Sequence, residues 1–247
     1  MVQVIIMAGG MGKRMKSTLP KVLVEFNNKP MIIHVIEEAI LLDPNQILVI
    51  VGKTTGLLIQ ETIKEWNIEH FHKIKFVLQD PPLGTGHAIL SCLRDLQCDN
   101  QTIILSGDVP NIKASTLNEC FYLNEKLNFA YILGFIPDNN YGYGRINCNG
   151  DTFVNIIEEK ECNNNEKKIK LCNTGIYCIP SNLLINYIPN IKNNNSTGEF
   201  YLPDVFNFML HDNKNSIKIS TLPKEKNTQV AGINTLEQLK ELENLID

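Results

Sequence analysis

The stretch "IIMAGGMGKRMKSTLPK", Ile5 to Lys21, decides how this chain is read. An apolar run ends at Met7, Gly9, Gly10 and Gly12 follow, and Pro20 precedes a lysine. A buried strand feeding a glycine loop lets the backbone approach a ligand closely, and exposed amides beside Arg14 suit phosphate oxygens. Pro20 fixes its own φ and presents Lys21 as a point charge from a defined direction. Two better-known phosphate loops are excluded. The dinucleotide fingerprint GxGxxG lacks its third glycine, because Gly10, Met11 and Gly12 are followed by Lys13, Arg14 and Met15. A Walker A loop would need glycine where Met7 stands and Ser or Thr where Arg14 stands.

Outward from that loop, strand-like runs alternate with helix-period segments: "VQVIIM", "MIIHVIEEAILL", "QILVIV", "TTGLLIQETIKEW", "IKFVLQ", "GHAILSCLRDL" and "TIILSGD". The alternation predicts βαβ units, hence an α/β fold: a Rossmann-like, mostly parallel sheet flanked by helices. In segment 31–42, Ile32, Val35, Ile36, Ala39 and Ile40 share a stripe while Glu37 and Glu38 point away, as in a helix covering a sheet. The second half reads as a smaller lobe: "FAYILGF", a turn at "YGYGR", a strand at "FVNII", then "TGIYCIP". Later strands are expected at "SIKIS" and "TQVAGI", and a closing helix over 235–246. A single domain over 1–247 follows.

The net charge of −4 argues against a general nucleic-acid binder. Yet in the first thirty residues Lys13, Arg14, Lys16, Lys21 and Lys29 face only Glu25, a focus suited to a small polyanion. Runs such as "VIIMA" and "AILL" fall far short of the roughly 20 residues a membrane span requires, and no secretory cleavage pattern follows the first methionine. A cytoplasmic chain without membrane partners is expected. The seven cysteines are scattered and never spaced CxxC, so a disulfide framework or structural zinc is not expected. His70 and His72 could face one way on a strand, but no third ligand lies nearby.

Two further motifs fall where open α/β sheets bind ligands. "QDPPLGTGHAIL" sets Gly84 and Thr85 immediately before a helix, free to offer backbone groups to a ring or phosphate, or to act as a simple helix start. "TIILSGDVP" sets Asp108 just past an apolar strand, at the carboxyl edge of the sheet. By itself Asn234, in "GIN" before a helix, reads as an N-cap.

The blocks "MAGGMGKRM", "LPK", "LGTGHA", "GDVP", "YGYGRI", "IIEEK", "NTGIY", "GEFYLPD" and "GIN" occur in the order and approximate spacing of sugar-1-phosphate nucleotidyltransferases. The chain most resembles the uridylyltransferase domain of the bacterial bifunctional N-acetylglucosamine-1-phosphate uridylyltransferases. The resemblance implies a Rossmann-like nucleotide half, mainly 1–110, with a sugar-binding lobe, mainly 111–230, and a segment 231–247 that returns a metal ligand and closes with a helix; it implies transfer of UMP from UTP to a sugar 1-phosphate with release of pyrophosphate. It implies that the backbone of Met7, Ala8, Gly9 and Gly10 meets the nucleotide, with Gly107 beside it. Arg14 and Lys21 would hold phosphates, and Gln79, Gly84 and Thr85 would read the uracil. Asp108 and Asn234 would hold Mg2+; Gly144, Glu158, Asn173 and Tyr201 would meet the sugar.

The chemistry fits the residues. A sugar phosphate, with a second pKa of about 6, is already an anionic nucleophile, which accords with finding no Ser/His/Asp or Cys/His constellation. The chain departs from the family pattern at Ser106 (usually aromatic), Pro82 (often polar) and Pro203 (usually a hydroxyl residue). These bear on ribose packing, a second uracil contact and acetamido recognition. No hexapeptide repeats of a β-helix acetyltransferase are present, so acetyl transfer is not expected. Glucose-1-phosphate uridylyl or thymidylyl transfer, CTP with an alcohol phosphate, and a non-catalytic nucleotide-sugar sensor are the alternatives.

Overall fold

The computed structural model describes residues 1–10, 12–15, 17–121, 129–213 and 216–246; Met11, Lys16 and Asp247, named above, lie outside them. Strand β1 (Val2–Met7) leads into the glycine loop, followed by a small hairpin, β2 (Glu25–Phe26) and β3 (Lys29–Pro30). Helix α1 (Met31–Ile40), β4 (Ile47–Gly52), α2 (Gly56–Glu65), β5 (Ile74–Gln79), α3 (Thr85–Ser91) and β6 (Gln101–Ser106) continue the alternation. Beyond them come α4 (Ala114–Phe121), β7 (Ala130–Phe135), β8 (Arg145–Asn149), β9 (Thr152–Ile157), β10 (Cys172–Pro180), α5 (Ser181–Tyr187), α6 (Val205–Asp212), β11 (Ile217–Thr221) and α7 (Leu236–Ile246).

One mixed sheet runs in the order β11-β7-β10-β6-β1-β4-β5, with β8 and β9 attached through β10. β6, β1, β4 and β5 are parallel to one another, while β10 is antiparallel to both β6 and β7. Successive side chains of these buried strands enter different cores, as a pleated strand covered on both faces requires. Val4 and Ile6 join Val49 and Leu105 on one face, where α1 supplies Ile32, Val35, Ile36 and Ala39. Ile5 joins Leu48, Ile50 and Ile104 on the other, against Ile89 of α3 and Phe206 of α6. Each large side chain so buried contributes about 1.5–3 kcal/mol, enough for a few to fix α1 without a side-chain cap at Pro30. The expected stripe is thus present, with Ile40 only half-buried and Glu37 exposed.

A third, smaller core positions the site. Met15 from the opening loop packs with Phe26, Met31, Ile233 and the α7 residues Leu239 and Leu242. It brings positions 15 and 233, far apart in the chain, into one cluster and so holds their neighbours Arg14 and Asn234 together.

Three local expectations are corrected. "TQVAGI" is not a strand: it forms the end of a 3-10 turn, Lys224–Val230, and then extended coil. Val230 and Ile233 are buried in different cores, so this segment gains burial without a strand ladder. The segment 86–96 is broken after Ser91, whose hydroxyl donates to His87 O, and resumes as a 3-10 turn, Leu93–Asp95. Such back-bonding bends helices. His72 lies in a 3-10 turn, Phe71–Lys73, with His70 just before it in left-handed geometry, not on a strand. Among the described residues no helix is long and apolar enough to cross a membrane.

Candidate active site

The carboxyl ends of the parallel strands deliver the candidate residues to one edge. Met7 is in register with Ser106, and Gly52 with Gln79, so the glycine loop, the GD pair and Gln79 start from the same level of the sheet. A cavity of about 310 Å3 opens there, lined by Met7, Ala8, Gly9, Gly10, Lys21, Gln79, Gly84, Thr85, Ser106 and Asp108, among others. At Gly10 no atom lies within 4 Å of where a side chain would begin, which leaves that backbone open to a ligand. Gln79 is buried and donates to Gly84 O at 3.0 Å, and a Cβ on Gly9 would lie 3.1 Å from Gln79 Oε1. Its amide therefore sits between the two glycine loops. Gly84 itself has φ +109°, with Phe200 O only 2.6 Å from where its Cβ would stand. Only glycine meets both conditions.

At one side of this cavity the charged residues converge. Lys21, 9% exposed, donates to Asp108 Oδ2 and, at 2.7 Å, to Asn234 Oδ1. Arg14, on the 3-10 turn Lys13–Met15, donates to the same Asn234 oxygen at 2.9 Å. Ser106 donates to Asp108 Oδ1 at 2.6 Å, fixing one oxygen of the carboxylate while the other faces Lys21. Gly12 packs against the lysine stem: at φ +64°, a Cβ there would lie 2.4 Å from Lys21 Cβ. Asn234 does not cap α7. Thr235 does so, its Oγ1 accepting from Gln238 N at 3.3 Å, and Gln238 Oε1 accepts from Asn234 N at 2.7 Å. The Asn234 side chain is thereby left for the site.

A second cavity, of about 190 Å3, shares Met7 and Thr85 with the first and is lined by Gly144, Glu158, Asn173, Tyr143, Tyr177 and Pro203, among others. The register of β10 slips between Asn173 and Tyr177, a bulge of the kind that re-aims side chains beside sites. Asn173 Nδ2 donates to the Tyr177 hydroxyl at 2.7 Å, and Asn173 N donates to Gly144 O at 2.8 Å. Burial pushes the Glu158 carboxyl above its ordinary pKa, with Asp204 and Glu199 adding to the rise.

Two expected residues stand apart. Gly107 does not line either cavity among the residues described, and its N–H goes to Met7 O at 3.0 Å. Tyr201 donates to or accepts from Thr197 Oγ1 at 2.6 Å and lines a neighbouring hollow that shares Glu158 and Pro203 with the second cavity. Conversely, Glu199 lines the first cavity and Tyr177 the second. Both lie within or beside the "GEFYLPD" and "NTGIY" blocks, so the signal for them was present.

At the carboxyl edge of the mixed sheet, Lys21, Arg14, Asp108 and Asn234 thus meet beside a cavity bordered by glycine backbone. The chain belongs to the nucleotidyl transferase family, whose model matches residues 3–223. It is 40% identical to a protein of Acanthamoeba polyphaga mimivirus named "Probable UDP-N-acetylglucosamine pyrophosphorylase", over 98% of this chain and 95% of that one. It is 34% identical to the "Bifunctional protein GlmU" of Herminiimonas arsenicoxydans over 98% of its own length, spanning 51% of that relative. In fold it matches a crystal structure described as a glucose-1-phosphate thymidylyltransferase from Bacillus anthracis with sucrose. That match has a TM-score of 0.74 and 21% identity, and covers 99% of this chain and 95% of the other.

Proposed function

We propose that this chain is a UDP-N-acetylglucosamine pyrophosphorylase, transferring UMP from UTP to N-acetylglucosamine 1-phosphate with release of pyrophosphate. The observation that carries the reading is the convergence of Lys21, Arg14, Asp108 and Asn234 beside a cavity that meets a second one at Met7 and Thr85. The similarity to the mimivirus protein supports the choice of sugar and base.

In this reading residues 1–110 mainly hold UTP, 111–230 mainly the sugar phosphate, and 231–246 return Asn234 to the phosphates. Gln79, Gly84 and Thr85 face the base, and the open backbone at Gly9 and Gly10 takes the ribose and phosphates. Gly144, Glu158 and Asn173 orient the sugar, with Tyr201 toward the acyl group. A phosphate oxygen of the sugar phosphate forms the new bond to the α-phosphorus, the bond to the β-phosphate oxygen breaks, and pyrophosphate leaves with that electron pair. Arg14 and Lys21 bind the outgoing phosphates and offset the charge that builds on them. Holding both anions in line contributes the rest of the acceleration, and the nucleophile needs no general base.

The donor set also fits Mg2+. Asp108 Oδ2 and Asn234 Oδ1 accept from one ammonium, so a carboxylate and an amide oxygen converge on a single cationic point. Mg2+ usually takes one or two carboxylates, substrate phosphates and waters, which is the set available here. When bound, it supplies further charge neutralisation on the α-phosphate and pyrophosphate.

The test is a panel of UTP, dTTP, CTP and ATP against several sugar 1-phosphates, read as pyrophosphate release. UTP with N-acetylglucosamine 1-phosphate should give the highest kcat/KM. A preference for glucose 1-phosphate, or nucleotide-sugar binding without turnover at saturating Mg2+, would replace the reading with one of its alternatives. Within it, Gly84→Ala should raise the KM for UTP about tenfold or more, because the added methyl collides with Phe200 backbone and breaks the base-facing turn. Steady-state titration of UTP at fixed sugar phosphate measures this.

A further inference from the structure

One residue removed from the second cavity lies a buried ion pair. The Arg145 side chain is 1% exposed, and its Nη1 lies 2.8 Å from Glu159 Oε2. The same nitrogen donates to Tyr143 O, whereas the buried Nε and Glu159 Oε2 have no hydrogen-bond partner among the described residues, so Arg145 and Glu159 are held by charge and proximity. Burying a guanidinium with an unsatisfied donor costs several kcal/mol, and apolar residues of similar volume are often as stable or more so. Stability is therefore a poor reason for this pair.

Its position supplies a better one. Arg145 follows Gly144, and Glu159 follows Glu158, both lining the cavity. Arg145 is also in register with Cys172, which precedes Asn173, the third candidate sugar residue. Gly144 O accepts from Asn173 N at 2.8 Å, and Arg145 is paired with Ile157 just before Glu158. Three chain segments that carry the sugar-facing groups thus meet at one buried charge pair.

We infer that Arg145 and Glu159 are positioning residues, a clamp that fixes Gly144, Glu158 and Asn173 relative to one another and so sets recognition of the sugar phosphate. This rests on the reading of the second cavity as the sugar site. A close charge pair holds its two carriers at a short separation where apolar packing holds only volume, and misplacement of orienting groups by about 1 Å costs up to about a hundredfold.

The experiment compares the wild-type chain with Arg145→Met, Glu159→Gln and the double variant Arg145→Met/Glu159→Leu, measuring KM for each substrate and the thermal midpoint. The single variants should raise the KM for the sugar phosphate about tenfold and leave that for UTP within about twofold. The double variant should match or exceed wild-type stability yet keep the raised sugar-phosphate KM, because its packing is restored and the attraction that draws the two segments together is not. A double variant with a wild-type KM, or variants in which both KM values rise together, would overturn the clamp. If the wild-type chain itself turns over no sugar phosphate, the functional reading fails and the clamp with it; an active wild type with unchanged single variants sinks the clamp alone.

Discussion

Asp108→Ala is expected to lower kcat about a thousandfold or more, because among the described residues it removes the one carboxylate bonded at the point where Lys21, Arg14 and Asn234 meet. Ser106 holds one oxygen of that carboxylate, and the other is aimed at the cationic point, so its geometry is set before substrate arrives. Losing a charge-assisted bond to a mostly buried lysine should cost about 1.5–3 kcal/mol of stability. Asn234 still accepts from Lys21, so the chain should fold. Pyrophosphate release, corrected for the folded fraction by circular dichroism, separates the two effects. A variant retaining a tenth of wild-type turnover would remove Asp108 from the machinery. Binding of Mn2+ as a spectroscopic substitute for Mg2+ should weaken in parallel.

Lys21→Met should be nearly as damaging, at about 10²- to 10³-fold in kcat, with the opposite effect on metal binding. Met preserves the length of the stem packed against Gly12 but removes the ammonium. In the free chain that ammonium occupies both Asp108 Oδ2 and Asn234 Oδ1, so it competes with a divalent cation for the same oxygens. Without substrate, Lys21→Met should therefore bind Mn2+ more tightly than wild type, measured by electron paramagnetic resonance of the free ion, while turning over poorly. Weaker binding in Lys21→Met would mean that the lysine supports the metal site instead of competing with it.

The first half of the fold was legible because both of its signals are local. Apolar-rich runs mark β1 and β5 to the residue even though Gln3 and Lys75 interrupt them, and the stripe on α1 needs only its own spacing. The second half is less legible. The helices α4, α5 and α6 are short, and β8 begins inside the "YGYGR" turn at Arg145, a residue type that usually marks a surface. Its partly buried neighbour Glu159 is a partner that no periodicity reveals. Asn234 marks a similar boundary. Sequence alone favours a helix cap, and what frees its amide is the next residue, Thr235, together with Gln238 one turn later. The order of motifs carried the assignment where local chemistry was ambiguous.

The backbone around Phe200 ties the two cavities to each other. Phe200 N donates to Leu83 O at 2.8 Å, Gly86 N to Phe200 O at 2.7 Å, and Leu202 N to Thr85 Oγ1 at 3.0 Å. Glu199 faces the first cavity while Leu202 and Pro203 face the second. The five residues Glu199 to Pro203 thus border both cavities while bonded to the loop that lines the first. In the proposed reading, a substitution in this segment that reshapes the sugar side also shifts the backbone that carries the Gly84 turn.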